Sequence, residues 1–345
     1  MKISALATAV PKNCLGTTEL EEKFGRKTAG RISLISGVRE RRVVQGDIRA
    51  LELMLSAATL AIEKAGGSKE IDAILVVTQT PEYKFPATAC IIQDKLGIGT
   101  KALAFDINLG CSGYVYGLIS AYSFIKSGQF RRILLIAGDL TQSTASPNDS
   151  STYPLFGDAY SATIVERNEY QDDIITFDYG TDGSGKDDLI TYIGGARYRD
   201  EEEYRRADGY TIYKDAKYPN YVYMNGGQIF EFCVRVVPEM LSNLLQNSSH
   251  TVNTIDYFFL HQANSFILKH LCTKLNLPEE KVPLSIEKFG NTSSASIPLT
   301  LCDKLGGDSS ERKLLSALLG FGVGYSWAGM LLFVTPKVIA PIVEV

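Results

Sequence analysis

The sequence predicts an α/β fold made of two similar halves, and three observations support that prediction. Apolar strand-like runs such as IDAILVVT (71–78) and RRILLIAGD (131–139) alternate with helix-like stretches such as ALELMLSAATLAIEKAGG (50–67). The strand runs are apolar throughout rather than at every second residue, the pattern of strands buried on both faces between helical layers. The halves also echo one another. IDAILVVTQT (from 71) resembles IDYFFLHQAN (from 255), KALAFDINLGCSG (from 101) resembles KVPLSIEKFGNTS (from 281), and LFGDAYSATIVE (from 155) resembles LGFGVGYSWAGMLLF (from 319). The expected division is 1–170 and 171–345.

A chain of 345 residues, 45% hydrophobic and 21% charged, can bury a large core as one large or two fused domains. Its net charge of -4 supplies no basic field for nucleic acid or a membrane surface, which leaves small molecules or a local docking surface as partners. There is no apolar run of about 18 residues, and the opening MKISALATAVPKN lacks the cationic flank and apolar core of a signal peptide. The expected location is the cytoplasm. Six cysteines are scattered without a CxxC pair or zinc-like Cys/His spacing, so no metal site is expected, and five of them read as small buried hydrophobes.

Between the repeats, residues 187–223 are dense in Tyr, Arg, Lys, Asp and Glu with irregular apolar spacing. This segment reads as an inserted excursion with some strand content, either an exposed structural insertion or a binding or lid element.

Cys111, the remaining cysteine, is the unusual one. It stands between Gly110 and Gly113, after the strand-like ALAFDINL and before Val115, Leu118, Ile119 and Tyr122 at helical spacing. The sulfur therefore falls at or just before a helix start, where unpaired N–H groups and the positive end of the dipole favour a thiolate. The glycines permit a sharp turn and close approach of substrate, the geometry of a nucleophile elbow. The competing reading is a buried structural thiol.

Of three histidines, His261 closes the apolar run YFFL and opens the polar HQAN. A histidine at a strand end can point into a cleft at the carboxyl edge of a sheet; the competing reading is a satisfied core histidine. His250 reads as a solvated loop residue, and His270 lies on the helix after His261. Asn291, in KFGNTSSAS, matches Cys111 in the repeat, since each lies ten residues past a lysine and directly after a glycine. An ordinary turn amide is the alternative. If the halves pack about a pseudo-twofold axis, the strand-to-helix turns of Cys111 and Asn291 face each other and His261 joins them. GFGVGYSWAG (320–329) does not match a phosphate loop, and its expected use is to bring backbone amides close to a reacting carbonyl.

Taken in chain order, SGVRERR, DINLGCSG, LFGDA, LHQAN, FGNTSSAS and GFGVGYSW resemble the ketoacyl-acyl-carrier-protein synthase III family of thiolase-fold condensing enzymes. The resemblance runs from about residue 1 to 335, interrupted mainly by 187–223. It implies a thiolase-like five-layered αβαβα fold, a homodimer, no tightly bound cofactor, and substrates carried on the phosphopantetheine of acyl carrier protein or coenzyme A. Carried over by position, Cys111 is the acylated nucleophile, while His261 and Asn291 hydrogen-bond the enolate formed when a malonyl thioester loses carbon dioxide. The backbone N–H groups of Cys111 and Val323 form an oxyanion hole. Phe85 reaches across the dimer interface to wall the acyl pocket, and Gly226, Phe230 and Asn264 line the pantetheine tunnel.

Several positions depart from the family. Where it holds the adenine of coenzyme A with a tryptophan and two arginines, this chain has Arg31, Ile35 and Ser150. Where it has an arginine linked to carrier-protein docking, this chain has Phe266. The expected activity is decarboxylative condensation in fatty-acid-like or specialised metabolism. The alternative is an acyltransferase or thioesterase passing the Cys111-bound acyl group to a hydroxyl, an amine or water. A non-catalytic subunit is disfavoured because all three site residues are retained.

Overall fold

The structure, a computed structural model, describes residues 1–67, 70–170, 173–206 and 217–345. The first sheet holds β1 (Lys2–Val10), β4 (Ala73–Val77), β5 (Leu103–Ile107), β6 (Arg132–Leu140), β7 (Asp158–Glu166) and β14 (Val343–Glu344). Their spatial order is β14-β1-β7-β6-β4-β5. Two short strands, β2 (Cys14–Gly16) and β3 (Glu40–Arg42), form a separate ribbon. The second sheet holds β8 (Ile174–Thr181), β11 (Tyr257–Leu260), β12 (Leu314–Gly322) and β13 (Ser326–Val334) in the order β11-β12-β13-β8. Every residue of β4 and β12 is buried, which explains their unbroken apolar sequences.

The internal repeat is visible in the strand pairing. β4 runs parallel to β6, and β6 antiparallel to β7, which is antiparallel to β1. In the same way β11 runs parallel to β12, and β12 antiparallel to β13, which is antiparallel to β8. Helices α3 (Ala50–Lys64) and α4 (Thr88–Lys95) share an apolar cluster with one face of the first sheet. Helices α5 (Gly113–Lys126) and α10 (Ser296–Leu305) lie between the sheets, in a core fed by β4, β6, β12 and β13. Helices α7 (Gly226–Gln246) and α8 (Ser265–Leu275) cover the outer face of the second sheet. The result is the five-layered αβαβα thiolase-like fold.

Sequence chemistry explains these layers. In α5 a side chain at Gly117 would come within 2.6 Å of Leu135, so glycine lets this central helix lie directly on the sheet. In α7 the stripe Ile229, Phe232, Cys233, Val236, Val237, Met240, Leu241, Leu244 is buried at helical spacing, while the Asn225 side chain accepts a capping bond from the Gln228 N–H at 3.4 Å. Burial of each such large apolar side chain contributes about 1.5–3 kcal/mol.

The sequence repeat and the structural repeat differ at two places. Residues 281–293 form no strand; the short helix α9 (Ile286–Phe289) stands where β5 stands in the first half. Pro283 has no N–H to give a ladder, and the buried Gln262 side chain takes the Ser285 and Ile286 N–H groups at 3.0 and 3.2 Å. Asn291 therefore follows a helix, and the expectation that its turn is strand-to-helix fails. In the third pairing β7 and β13 correspond from Asp158 and Ser326, while Leu319–Gly322 belong to β12. β14, close to the C-terminus, joins the first sheet.

The excursion leaves and returns as a ribbon, β9 (Leu189–Ile190) against β10 (Tyr223–Met224), around a small cluster of Tyr192, Tyr198 and Tyr204 and the helix α6 (Glu201–Arg206). Its part at 207–216, and residues 171–172 at the expected division of the halves, lie outside the described residues. Among the described residues no helix is long and apolar enough to cross a membrane.

Candidate active site

Cys111 follows β5 by four residues and precedes α5 by two. The end of β12 presses directly on it. A side chain at Gly322 would come within 2.8 Å of the Cys111 sulfur, one at Gly320 within 2.9 Å of Ser112 Cα, and one at Gly110 within 2.9 Å of Val323 Cγ1. Three glycines thus let the end of β12 and its turn pack closely on the Cys111 segment, and the Val323 backbone N–H favours the ionised form of the sulfur. The Ser326 hydroxyl holds the Val323 carbonyl at 2.8 Å and lies 2.7 Å from Ser112 Oγ, fixing the turn to the start of α5.

The thiol is not the thiolate expected at a helix start. Burial, reinforced by the nearby Asp139 carboxylate, pushes it up to about 12, against the hydrogen bonds from Val323 and Ser293. Loss of hydration outweighs the favourable partial charges of the helix terminus.

His261 directly follows β11, and its backbone N–H donates to the Leu319 carbonyl at 2.9 Å, extending the pairing with β12. It is 2% exposed. Its Nδ1 lies 2.7 Å from Ser296 Oγ at the start of α10, and the ring of Phe321 meets it edge-on at 5.6 Å. Burial pulls the imidazole down to about 3, so it is neutral at physiological pH.

Asn291 is held by backbone. Its N–H donates to the Leu155 carbonyl at 2.9 Å and its carbonyl accepts from Gly157 at 3.1 Å. Gly157 and Gly290 are required there: a side chain at Gly157 would lie 2.1 Å from the Phe289 carbonyl, and Gly290 has a φ of 66°. The Asn291 side-chain oxygen accepts from the Ser293 N–H at 2.9 Å, and its Nδ2 donates to the Ala263 carbonyl at 3.4 Å.

Ser293 joins all three residues. Besides that bond to Asn291, its hydroxyl favours the ionised forms of Cys111 and Asp139, and its backbone raises the basicity of the His261 imidazole. It holds a φ of 50°, a conformation that non-glycine residues adopt at a cost of about 1–3 kcal/mol and that concentrates at functional sites. Asp139, near the end of β6, accepts from the Gln79 N–H at 2.6 Å, Thr78 Oγ1 at 3.1 Å and Ser294 Oγ at 2.9 Å. Burial raises its carboxyl above the ordinary range. Sequence reasoning missed Ser293, Ser296 and Asp139. Asp139 carries the signal that found His261, a polar residue closing an apolar run, in LLIAGD; the serines had only their place in TSSAS.

The remaining predicted residues lie elsewhere. Phe85 is 85% exposed on the loop between β4 and α4 and packs in none of the apolar clusters among the described residues. Gly226 opens α7, and Phe230, one turn on, meets Phe266 at 5.4 Å and His270 at 4.9 Å on α8. Asn264 caps α8, its side-chain oxygen accepting from the Ile267 N–H at 2.8 Å. Helix α2 (Arg26–Ser36) comes up to α8 through Gly37, which abuts Ser265. This junction exposes Leu34, Ile35 and Phe266; Arg31 and Ser150 are exposed as well.

Two pseudo-equivalent α/β halves enclosing a buried cysteine, with histidine and asparagine supplied by the second half, place the chain among the thiolase-fold condensing enzymes. A family model described as 3-oxoacyl-[acyl-carrier-protein (ACP)] synthase III matches residues 105–183, and its C-terminal counterpart matches 245–334. The chain is 33% identical over 331 residues to beta-ketoacyl-[acyl-carrier-protein] synthase III 1 of Bacillus cereus, covering 96% of this chain and 97% of that one. A solved 3-oxoacyl-(acyl-carrier protein) synthase from Burkholderia xenovorans LB400 superposes with a TM-score of 0.93 at 35% identity, covering 100% and 97% of the two chains. The priming beta-ketosynthase of the R1128 polyketide pathway does so with a TM-score of 0.85 at 26% identity, covering 97% and 96%. The chain belongs to the beta-ketoacyl-acyl-carrier-protein synthase III family of condensing enzymes.

Proposed function

We propose that this enzyme loads an acyl group from a phosphopantetheine thioester onto Cys111 and condenses it with a malonyl thioester that loses carbon dioxide in the site. The observation that carries this reading is the pair of neutral side-chain donors, His261 and Asn291, linked to Cys111 through Ser293.

In the first half-reaction the Cys111 sulfur attacks the thioester carbonyl. The new oxyanion is received by the backbone N–H groups of Cys111 and Val323, the pantetheine C–S bond breaks, and the thiol proton leaves with the pantetheine thiol. In the second, the malonyl carboxylate leaves as carbon dioxide. Its bonding pair becomes an enolate whose oxygen accepts from Asn291 Nδ2 and from His261 Nε2, which carries the proton when Ser296 donates to Nδ1. The enolate carbon attacks the Cys111 thioester, a carbon–carbon bond forms, the carbon–sulfur bond breaks, and the departing Cys111 thiolate takes up one proton from solvent. The buried setting strengthens each of these hydrogen bonds.

Acyl carrier protein or acyl-coenzyme A delivers the acyl group, and Gly226, Phe230 and Asn264 flank the arm. The functional unit is a homodimer in which Phe85, exposed in one protomer, walls the partner's acyl pocket. The decisive experiment is intact-protein mass spectrometry after incubation with panels of acyl-coenzyme A and acyl-carrier proteins, with carbon dioxide release from malonyl thioester followed in parallel. The mass gained names the acyl group and its source names the carrier. Acylation lost in Cys111→Ala, with carbon dioxide release in the unmodified enzyme, supports condensation. Acylation without any decarboxylation would move the enzyme to acyl transfer. Full activity as a monomer by light scattering would remove the dimer.

A further inference from the structure

Tyr325 is gripped from every side. It is 5% exposed and sits two residues beyond Val323, in the turn between β12 and β13. Its ring stacks on Phe232 at 4.0 Å with an interplanar angle of 13°, and a side chain at Gly185 would lie 2.1 Å from it. Its backbone exchanges two hydrogen bonds with Asp182, at 2.8 and 2.9 Å. Its hydroxyl donates to Asp188 Oδ2 at 2.6 Å.

Asp188 is also the point where the excursion begins and ends. Its carbonyl accepts from the Asn225 N–H at 2.7 Å and its second carboxylate oxygen from Asn225 Nδ2 at 3.2 Å. Directly above it β9 and β10 pair, Leu189 with Met224 and Ile190 with Tyr223. One carboxylate thus ties the base of the excursion to the turn whose Val323 N–H meets the Cys111 sulfur. A half-buried carboxylate in charge-assisted hydrogen bonds to a phenol and an amide is a directional anchor.

We infer that Asp188, acting through Tyr325, is a positioning residue for the Val323 amide, and that this link couples the β9–β10 ribbon at the base of the excursion to acylation of Cys111. The inference rests on the proposed role of Val323 in the acylation half-reaction. It predicts a selective defect. Losing the Tyr325 hydroxyl lets the turn shift against Cys111, which weakens oxyanion binding but leaves the His261 and Asn291 side of the site untouched.

Three rates separate the possibilities in the full-length enzyme: acylation by acetyl-, butyryl- and octanoyl-coenzyme A, alkylation of Cys111 by iodoacetamide, and carbon dioxide release from malonyl-coenzyme A. Tyr325→Phe keeps the stacked ring and should slow acylation roughly ten- to hundredfold, the scale of a misplacement approaching 1 Å. Decarboxylation should stay within about twofold, since it does not use the oxyanion donors. Alkylation should fall less than acylation, because the shifted turn withdraws from it only the Val323 N–H that favours the thiolate. Asp188→Leu should match Tyr325→Phe, Asp188→Asn should be milder because it keeps an acceptor oxygen, and the double variant Asp188→Leu/Tyr325→Phe should be no worse than either single change. Wild-type acylation in Tyr325→Phe, an equal fall in all three rates, or additive losses in the double variant would overturn the inference. Failure of the unmodified enzyme to acylate Cys111 with any of the three thioesters, while it still decarboxylates, would overturn the acylation reading itself and this inference with it.

Discussion

Ser296 Oγ lies 2.7 Å from His261 Nδ1, and both residues are buried. A hydroxyl donating to Nδ1 leaves the imidazole proton on Nε2, the nitrogen that must donate to an enolate oxygen. Ser296→Ala frees the imidazole to populate the other tautomer. Decarboxylation of malonyl thioester should fall about tenfold, less than the loss of a whole donor, while Ser296→Thr, which keeps the hydroxyl, should retain most of it. An unchanged rate in Ser296→Ala, measured by carbon dioxide release, would show that the tautomer is held by other contacts.

His261 and Asn291 should act on the second half-reaction far more than on the first. Removing one preorganised donor costs about 2.7–4 kcal/mol, a hundred- to thousandfold in rate. His261→Ala and Asn291→Ala should therefore still gain acyl mass on Cys111 while releasing carbon dioxide at that reduced rate. Equal losses in both half-reactions would point to a shared structural role.

The pH dependence of Cys111 reactivity follows from its burial. With the thiol pushed up to about 12, the protonated form dominates through the neutral range. The thiolate fraction then rises tenfold per pH unit well past pH 8.5, where an ordinary cysteine begins to level off. The alkylation rate of Cys111, followed by peptide mass spectrometry from pH 7 to 10, should climb without a plateau. A plateau below pH 9 would show that the helix terminus and hydrogen bonds outweigh desolvation.

Gly322 leaves no room for a side chain. A methyl group there would meet the Cys111 sulfur at 2.8 Å and its Cβ at 2.6 Å. Gly322→Ala should lower acylation at least a hundredfold by displacing the sulfur from the Val323 N–H, the scale of a lost oxyanion donor. Its thermal stability should fall by about 1–3 kcal/mol, as for overpacked cores. Burst-phase acylation and a melting curve test both parts; wild-type acylation would show that the strand yields instead of the thiol.

The sequence alone determined the α/β class, through unbroken apolar runs such as AILVV and LLIAG that only a strand covered on both faces can use. It also singled out Cys111, His261 and Asn291 as candidates, because each is a polar or reactive residue set beside a glycine or at the end of an apolar run, a contrast readable within a few residues. Only the tertiary structure decided the chemical state of that set and its supports. The thiol and the imidazole are neutral because both are desolvated, and desolvation is set by what packs from elsewhere in the chain. Ser294 reaches Asp139 across 155 residues of sequence, and Ser296 reaches His261 across 35. No local pattern encodes such a pairing. The same holds for 281–293: its likeness to a strand was real in composition, but the Gln262 side chain, brought in from another element, took the backbone groups a strand would have used. Local propensity yields where tertiary contacts satisfy buried polar groups in another way.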